Sequence, residues 1–220
     1  YVYRCASGQA EQGLCTSTSY GPGTKFTIPS GSYIQVRTRT PNSFDTEQVA
    51  KLTIGGVVRE FKVRTRVSVT VPTSLGGFDA ITDATPYMEY YSNPVKFVGL
   101  TDTATVTLEY LSGYSSVRAY VCTEASALSG SCQTSWYDSK STSNTATFNV
   151  PKDHWVVLQV RTMNAFSETA AARISVGGVV REFSVTTRAS VTVPTSVGTF
   201  DAVTDATPYM EYYSNPVKFV

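Results

Sequence analysis

The four cysteines are the residues best placed to do chemistry. They fall in two pairs, Cys5/Cys15 and Cys122/Cys132, each pair 10 residues apart. Zinc sites built on cysteine usually space their ligands about two to four residues apart and recruit further ligands. The wider spacing suits a local disulfide in each pair, and with it an oxidising compartment. The alternative is four buried free thiols. The single histidine, His154, lies in "VPKDHWVV", and the matching stretch "IPSGSY" has none. A surface turn residue is expected there. No nucleophile motif, P-loop or HExxH sequence occurs, so no enzyme and no cofactor is expected. Acid pairs stand at Asp79/Asp83 and Asp201/Asp205. Calcium needs about six to eight oxygens, which two carboxylates do not supply, so a solvated turn is expected.

The stretch "PYMEYYSNP" supplies Tyr87, Tyr90 and Tyr91, and a second copy supplies Tyr209, Tyr212 and Tyr213. Successive strand residues point to opposite faces, so Tyr90 and Tyr91 cannot both enter one core. Three readings remain open. One ring packs inside while its neighbour lies flat outside; or the rings form a contact surface, since Tyr is enriched at interfaces; or they form a platform for glycans. These six tyrosines and Phe219 are the candidate inter-unit contacts. Trp136 and Trp155 are the candidates for a carbohydrate-binding face.

The elements that carry these residues come from an internal repeat. Residues 55–98 and 177–220 match at a shift of 122, and only positions 62, 64, 67, 75, 77 and 81 differ. "DATPYMEYYSNPVKFV" is identical at Asp83–Val98 and Asp205–Val220. Upstream the match weakens and the shift drifts, as loops allow and strands do not. Tyr1 corresponds to Arg118, so the two partial units joined end to end lack only a counterpart of Gly99–Val117. The sequence opens on Tyr1 and not on a Met or a signal sequence, so a processed N-terminus, or a start that is not the natural one, is expected. The chain therefore reads either as a window on a longer periodic protein or as a split unit completed by a neighbour.

Short alternating stretches bounded by Gly, Pro, Ser, Asn and Asp dominate, and helical periodicity is absent. The pattern predicts strands at Ser68–Val71, Phe78–Ile81, Tyr87–Tyr91, Val95–Val98, Thr103–Leu111, Ser116–Thr123, Cys132–Tyr137, Thr145–Val150, Trp155–Thr162, Ala171–Val176 and Val179–Thr187. Gly55-Gly56 and Gly177-Gly178 are two-residue hairpin signals. Many short strands between turn signals indicate an all-β sandwich. The net charge is +1, from 18 Lys+Arg and 17 Asp+Glu, with no long run of one sign. Nothing there suggests nucleic acid or a membrane surface. Apolar runs of roughly four residues are far short of the about 20 that a membrane helix needs.

"KLTIGGVVREFKVRT" and "RISVGGVVREFSVTT", each after a "VQVRT"-like strand, resemble the closing hairpin of bacterial Ig-like tandem surface repeats. "SNPVKFVGL" is similar to an early strand of that family. The resemblance implies Ig-like sandwiches strung in tandem in large secreted or surface-attached proteins. The cysteine pairs are not part of that pattern. On this reading residues 1–66 are the C-terminal part of one repeat of about 120 residues, 67–188 a complete repeat, and 189–220 the first strands of the next. The expected function is a structural subunit of an extracellular bacterial filament or surface fibre. Its partner would be itself, as a covalent tandem chain or a head-to-tail polymer joined by strand complementation. The alternative is an adhesin or carbohydrate-binding sandwich.

Overall fold

The computed structural model describes residues 1–12, 15, 17–68, 76–96, 102–134, 136–190, 199–206, 208 and 210–218. The chain is built from strands, as alternation of apolar and polar residues requires. The first group is β1 (Val2–Cys5), β2 (Thr18–Tyr20), β3 (Tyr33–Arg39), β4 (Glu47–Ile54) and β5 (Val57–Thr65), with a short helix α1 (Ser7–Glu11) after β1. The second is β6 (Ile81–Ala84), β7 (Glu89–Tyr91), β8 (Val95–Lys96), β9 (Ala104–Ser112), β10 (Val117–Cys122), β11 (Asp138–Thr142), β12 (Thr145–Val150), β13 (Trp155–Arg161), β14 (Thr169–Val176) and β15 (Val179–Thr187). A helix α2 (Glu124–Leu128) follows β10. The last group is β16 (Val203–Ala206), β17 (Glu211–Tyr213) and β18 (Val217–Lys218).

The second group forms two facing sheets. One has the order β12-β9-β14-β15-β6, and the other β11-β10-β13-β7 with β8 also on β13. Alternate residues of both sheets meet in one core, among them Leu108, Val121, Leu158, Ile174 and Phe183. The result is all-β and sandwich-like. Each double glycine makes the expected hairpin: Gly55, Gly56, Gly177 and Gly178 all have positive φ, between 53° and 81°. That is the region a two-residue turn between twisted strands demands and that glycine adopts without strain.

The first group does not close on its own. Its sheets are completed by the last three strands: β17 and β18 pair antiparallel with β3, and β16 pairs parallel with β5. The resulting sheets are β17-β3-β1-β2, with β18 on β3, and β16-β5-β4. Ile34, Val36, Leu52, Phe61, Val63, Phe200, Ala206 and Val217 form their shared core. This composite body is therefore made of two stretches of chain with the whole middle body inserted between them.

Several expectations need correction. Residues Cys132–Tyr137 are turn and irregular structure where described, and the strand lies later, at β11. "DSKST" carries no apolar alternation because β11 is an edge strand, paired only with β10 among the described residues. The early strand comes at Ile81–Ala84 rather than Phe78–Ile81. Two short helices occur where none was expected, both inside the cysteine loops. Thr123 caps α2, its hydroxyl accepting from the Ser126 N–H. Most of the predicted strand Ser68–Val71 and the end of Val95–Val98 lie outside the described residues.

Candidate strand-docking interface

The block that the sequence duplicates is the block that crosses between sheets. In the composite body, Tyr213 pairs with Arg37 and Val217 with Ile34. Between them the register shifts by one residue, and Pro216 has no N–H to donate. Ser214 bridges this irregularity. Its N–H donates to the Val36 carbonyl at 2.9 Å, and its hydroxyl accepts from the Val36 N–H at 2.9 Å. Asn215 holds the incoming chain: its Oδ1 accepts from the Asp201 N–H, and its Nδ2 donates to the Thr199 carbonyl. One residue before the strand, the Thr40 hydroxyl accepts from the Met210 N–H at 2.9 Å.

The first copy of the block makes the same bonds within the middle body. The Ser92 hydroxyl accepts from the Leu158 N–H at 2.9 Å, and Asn93 bonds Asp79 and Gly77. The Thr162 hydroxyl accepts from the Met88 N–H at 2.9 Å. At the parallel strands, the Arg66 and Arg188 N–H groups donate to the Ala206 and Ala84 carbonyls. One sequence thus satisfies two acceptor surfaces, and it does so largely through backbone and short polar groups. Those groups have strict geometry, so few letters can change without leaving a buried donor unpaired.

The tyrosines divide by face. Tyr90 packs against the middle core, and its hydroxyl accepts from the Thr85 N–H at 2.7 Å. Burial pushes its pKa up to about 12. Tyr212 packs against the composite core. Their neighbours Tyr91 and Tyr213 point the other way. Tyr91 lies against Tyr120 with ring centroids 6.0 Å apart, and Tyr213 against Tyr3 at 5.7 Å. Burial, then the nearby Tyr120, raises Tyr91 above the ordinary phenol range; burial pushes Tyr213 up to about 12. Tyr87 has a positive φ of 61° and lies edge-on to Tyr114 beneath the Arg161 guanidinium. Tyr87, Tyr91 and Tyr213 line one cleft of about 360 Å³ with Arg37, Arg39 and Arg161. Tyr209 and Phe219 lie outside the described residues.

Two residues at this interface escaped sequence reasoning. Gln35 is buried at 1% exposure; its Oε1 accepts from the Cys15 N–H and its Nε2 donates to the Ser214 carbonyl, both at 2.8 Å. It ties the cysteine loop to the docked strand. Arg37 pairs with Glu211 at 3.1 Å. The only available signal for Gln35 was a polar residue in "SYIQVRT", which reads equally well as a surface position.

Both disulfides form as paired by spacing, Cys5–Cys15 and Cys122–Cys132, with Cα atoms 5.1 and 5.3 Å apart. Each closes a loop over one of the short helices. Such bonds fit a non-reducing environment. The Cys122–Cys132 loop also touches the composite body. Gln133 Nε2 donates to the Pro208 carbonyl, and Asn42 Nδ2 to the Thr134 hydroxyl. Gly130 approaches so closely that a Cβ there would stand 2.8 Å from the Phe44 ring.

The remaining candidates are dispersed. His154 sits in a turn, its Nδ1 3.0 Å from the Lys152 carbonyl and its ring edge-on to Tyr137. Trp155 is buried, whereas Trp136 is 51% exposed. Asp79, Asp83 and Asp201 are exposed, and the Asp205 side chain lies outside the described set. Among the described residues, no group of three or more His, Cys, Asp or Glu side chains converges on a metal-sized site. No described helix is long and apolar enough to cross a membrane. No protein-family model matches the sequence, and no curated protein matches it.

Proposed function

We propose that the protein is a non-catalytic structural segment of an extracellular filament or surface fibre. It is made of tandem Ig-like sandwiches of about 120 residues whose strands can be shared between units. One observation carries the reading. Strands β16–β18 close a body whose other strands lie more than 130 positions earlier in the chain, through bonds that β6–β8 repeat in the middle body. A block that docks on two different acceptors is suited to join successive units, in one chain or between chains. A heterologous contact of that kind, repeated, generates an open filament. The disulfides support an extracellular setting.

The test is negative-stain electron microscopy of the native material, with intact mass under denaturing, non-reducing conditions. Fibres are expected. A mass far above 23.8 kDa identifies a covalent tandem chain, and fibres that dissolve to 23.8 kDa identify strand exchange between molecules. Monodisperse particles without fibres refute the reading. A binding module is the second reading, favoured by the adjoining exposed rings of Trp136 and Tyr137. Glycan binding abolished by Trp136→Ala without unfolding would promote it.

A further inference from the structure

Among the described residues the composite body repeats every strand of the middle body but β9 and β12. By the shift of 122 residues, β4 corresponds to β14, β5 to β15, and Phe26 and Ile28 to Phe148 and Val150 of β12. In the middle body β9 lies between β12 and β14 and pairs with both. In the composite body nothing among the described residues fills that place. Among the described residues β4 is paired only with β5, which leaves its outer edge of backbone groups open to them, and residues 24–29 form no strand. An open groove of about 1010 Å³ runs there, bordered by β4 and by residues 21–28.

The groove floor is apolar. Val49 is 40% exposed where its counterpart Ala171 is 5% exposed. Ala50, Phe26 and Ile28 are half-buried where their counterparts Ala172, Phe148 and Val150 are buried. An open, partly apolar strand edge is a template for pairing with another strand. The repeat also states what shape of strand fits. On the β14 register, Leu108 faces the position of Leu52, and Glu109 that of Lys51. On the β12 register, Val106 faces the position of Phe26 and Ala104 that of Ile28. Charge agrees. Arg173 of β14 is bonded to both Glu182 and Glu109. Its counterpart Lys51 has only the first partner's equivalent, Glu60, and Glu60 is shared with Lys62. The cluster of Lys51, Lys62 and Glu60 therefore holds two cations for one carboxylate, at the place where β9 brings Glu109.

We propose that this groove is a strand-acceptor site. Its occupant is a β9-type strand carried by a further unit of the same kind: small or branched apolar residues at alternate positions and a carboxylate opposite Lys51. The inference rests on the tandem-unit reading above and names the surface through which one unit is completed by the next.

The probe is a fluorescently labelled synthetic peptide of residues 102–113, added to the purified 220-residue chain. Saturable anisotropy is expected, competed by unlabelled peptide, with new hydrogen-exchange protection across residues 48–53. At peptide about 100-fold above Kd, the unfolding constant of the composite body should fall about 100-fold. A peptide carrying Val106→Asp and Leu108→Asp should bind at least about 10-fold more weakly, since it buries unpaired carboxylates. A Glu109→Lys peptide should bind roughly threefold more weakly to the native chain and recover on a Lys51→Glu chain, the size of an exposed ion pair. Absence of binding overturns the proposal. So does protection confined to β12 and β14, which means exchange with the resident β9. Protection of residues 48–53 that rises with chain concentration and is not competed by the peptide also overturns it, because something other than a β9-type strand then covers the face. Native fibres seen alongside a peptide that does not bind would remove the acceptor site and leave the filament standing.

Discussion

Ser214→Ala removes one hydroxyl and should selectively destabilise the composite body. The Val36 N–H is the group at risk. Val36 is 2% exposed and Ser214 3%, and the hydroxyl oxygen is the acceptor for that N–H at 2.9 Å. The register shifts by one residue between the Tyr213–Arg37 and Val217–Ile34 pairs, and at that irregularity the Val36 N–H is taken by the Ser214 hydroxyl. A buried donor left without a partner costs about 1–3 kcal/mol. The lost volume is a single oxygen, so the cavity contribution is minor and about 2 kcal/mol is the working value. For a body of this size each 1 kcal/mol moves the midpoint by about 4–8 °C, so a fall near 10 °C is expected. Ser92→Ala is the internal control, because its hydroxyl serves the Leu158 N–H in the middle body in the same way. Differential scanning calorimetry should resolve two transitions, with Ser214→Ala lowering one and Ser92→Ala the other. Closure within one chain also makes the composite transition independent of protein concentration. If both variants lower the same transition, or if Ser214→Ala shifts nothing by more than about 0.5 kcal/mol, the hydroxyl bridge does not hold the docked strand and the reasoning fails.

Two further outcomes follow from the chemistry at this interface. Reduction of both disulfides should cost about 2–3 kcal/mol per loop on the chain-entropy model, read as separate losses in Cys5→Ala/Cys15→Ala and Cys122→Ala/Cys132→Ala chains by urea unfolding. Alkaline pH should unfold the protein more readily than exposed phenols would. Burial pushes the pKa of Tyr90 and of Tyr213 up to about 12 in the folded state, from 10.0. The folded state therefore binds more protons in that window, so stability is level below pH 10 and falls as pH rises towards 12. Urea titrations at successive pH values check this. Tyr90→Phe should flatten the slope for the middle body, by of order 2 kcal/mol across the window, and an unchanged slope would contradict it.

The elements were legible wherever alternation and turn chemistry coincide. β12 and β15 lie where the pattern puts them, because each alternates inward and outward residues and ends at a glycine pair, a proline or a polar turn. The disulfide partners were legible because ten residues is a distance that a local loop can close. β11 was missed because an edge strand need not alternate. The helices α1 and α2 were missed because a single turn inside a disulfide loop leaves no periodicity to read. Gln35 was missed because its burial comes from a strand 179 residues away.

The sequence by itself determined that the protein is β-built, that its units recur at 122 residues, and that one block is used twice. It could not decide where the second copy of that block docks. Residues 83–98 and 205–220 are identical, so their local preferences are identical too, and either copy can satisfy either acceptor. Only the tertiary structure distinguishes them. Connectivity holds the first copy next to β13 and β15, while the second copy meets β3 and β5 of a body that the chain left unfinished. The open edge of β4 has the same origin. A strand's face and period are written in its own residues, but its partner is set by what the rest of the chain places beside it.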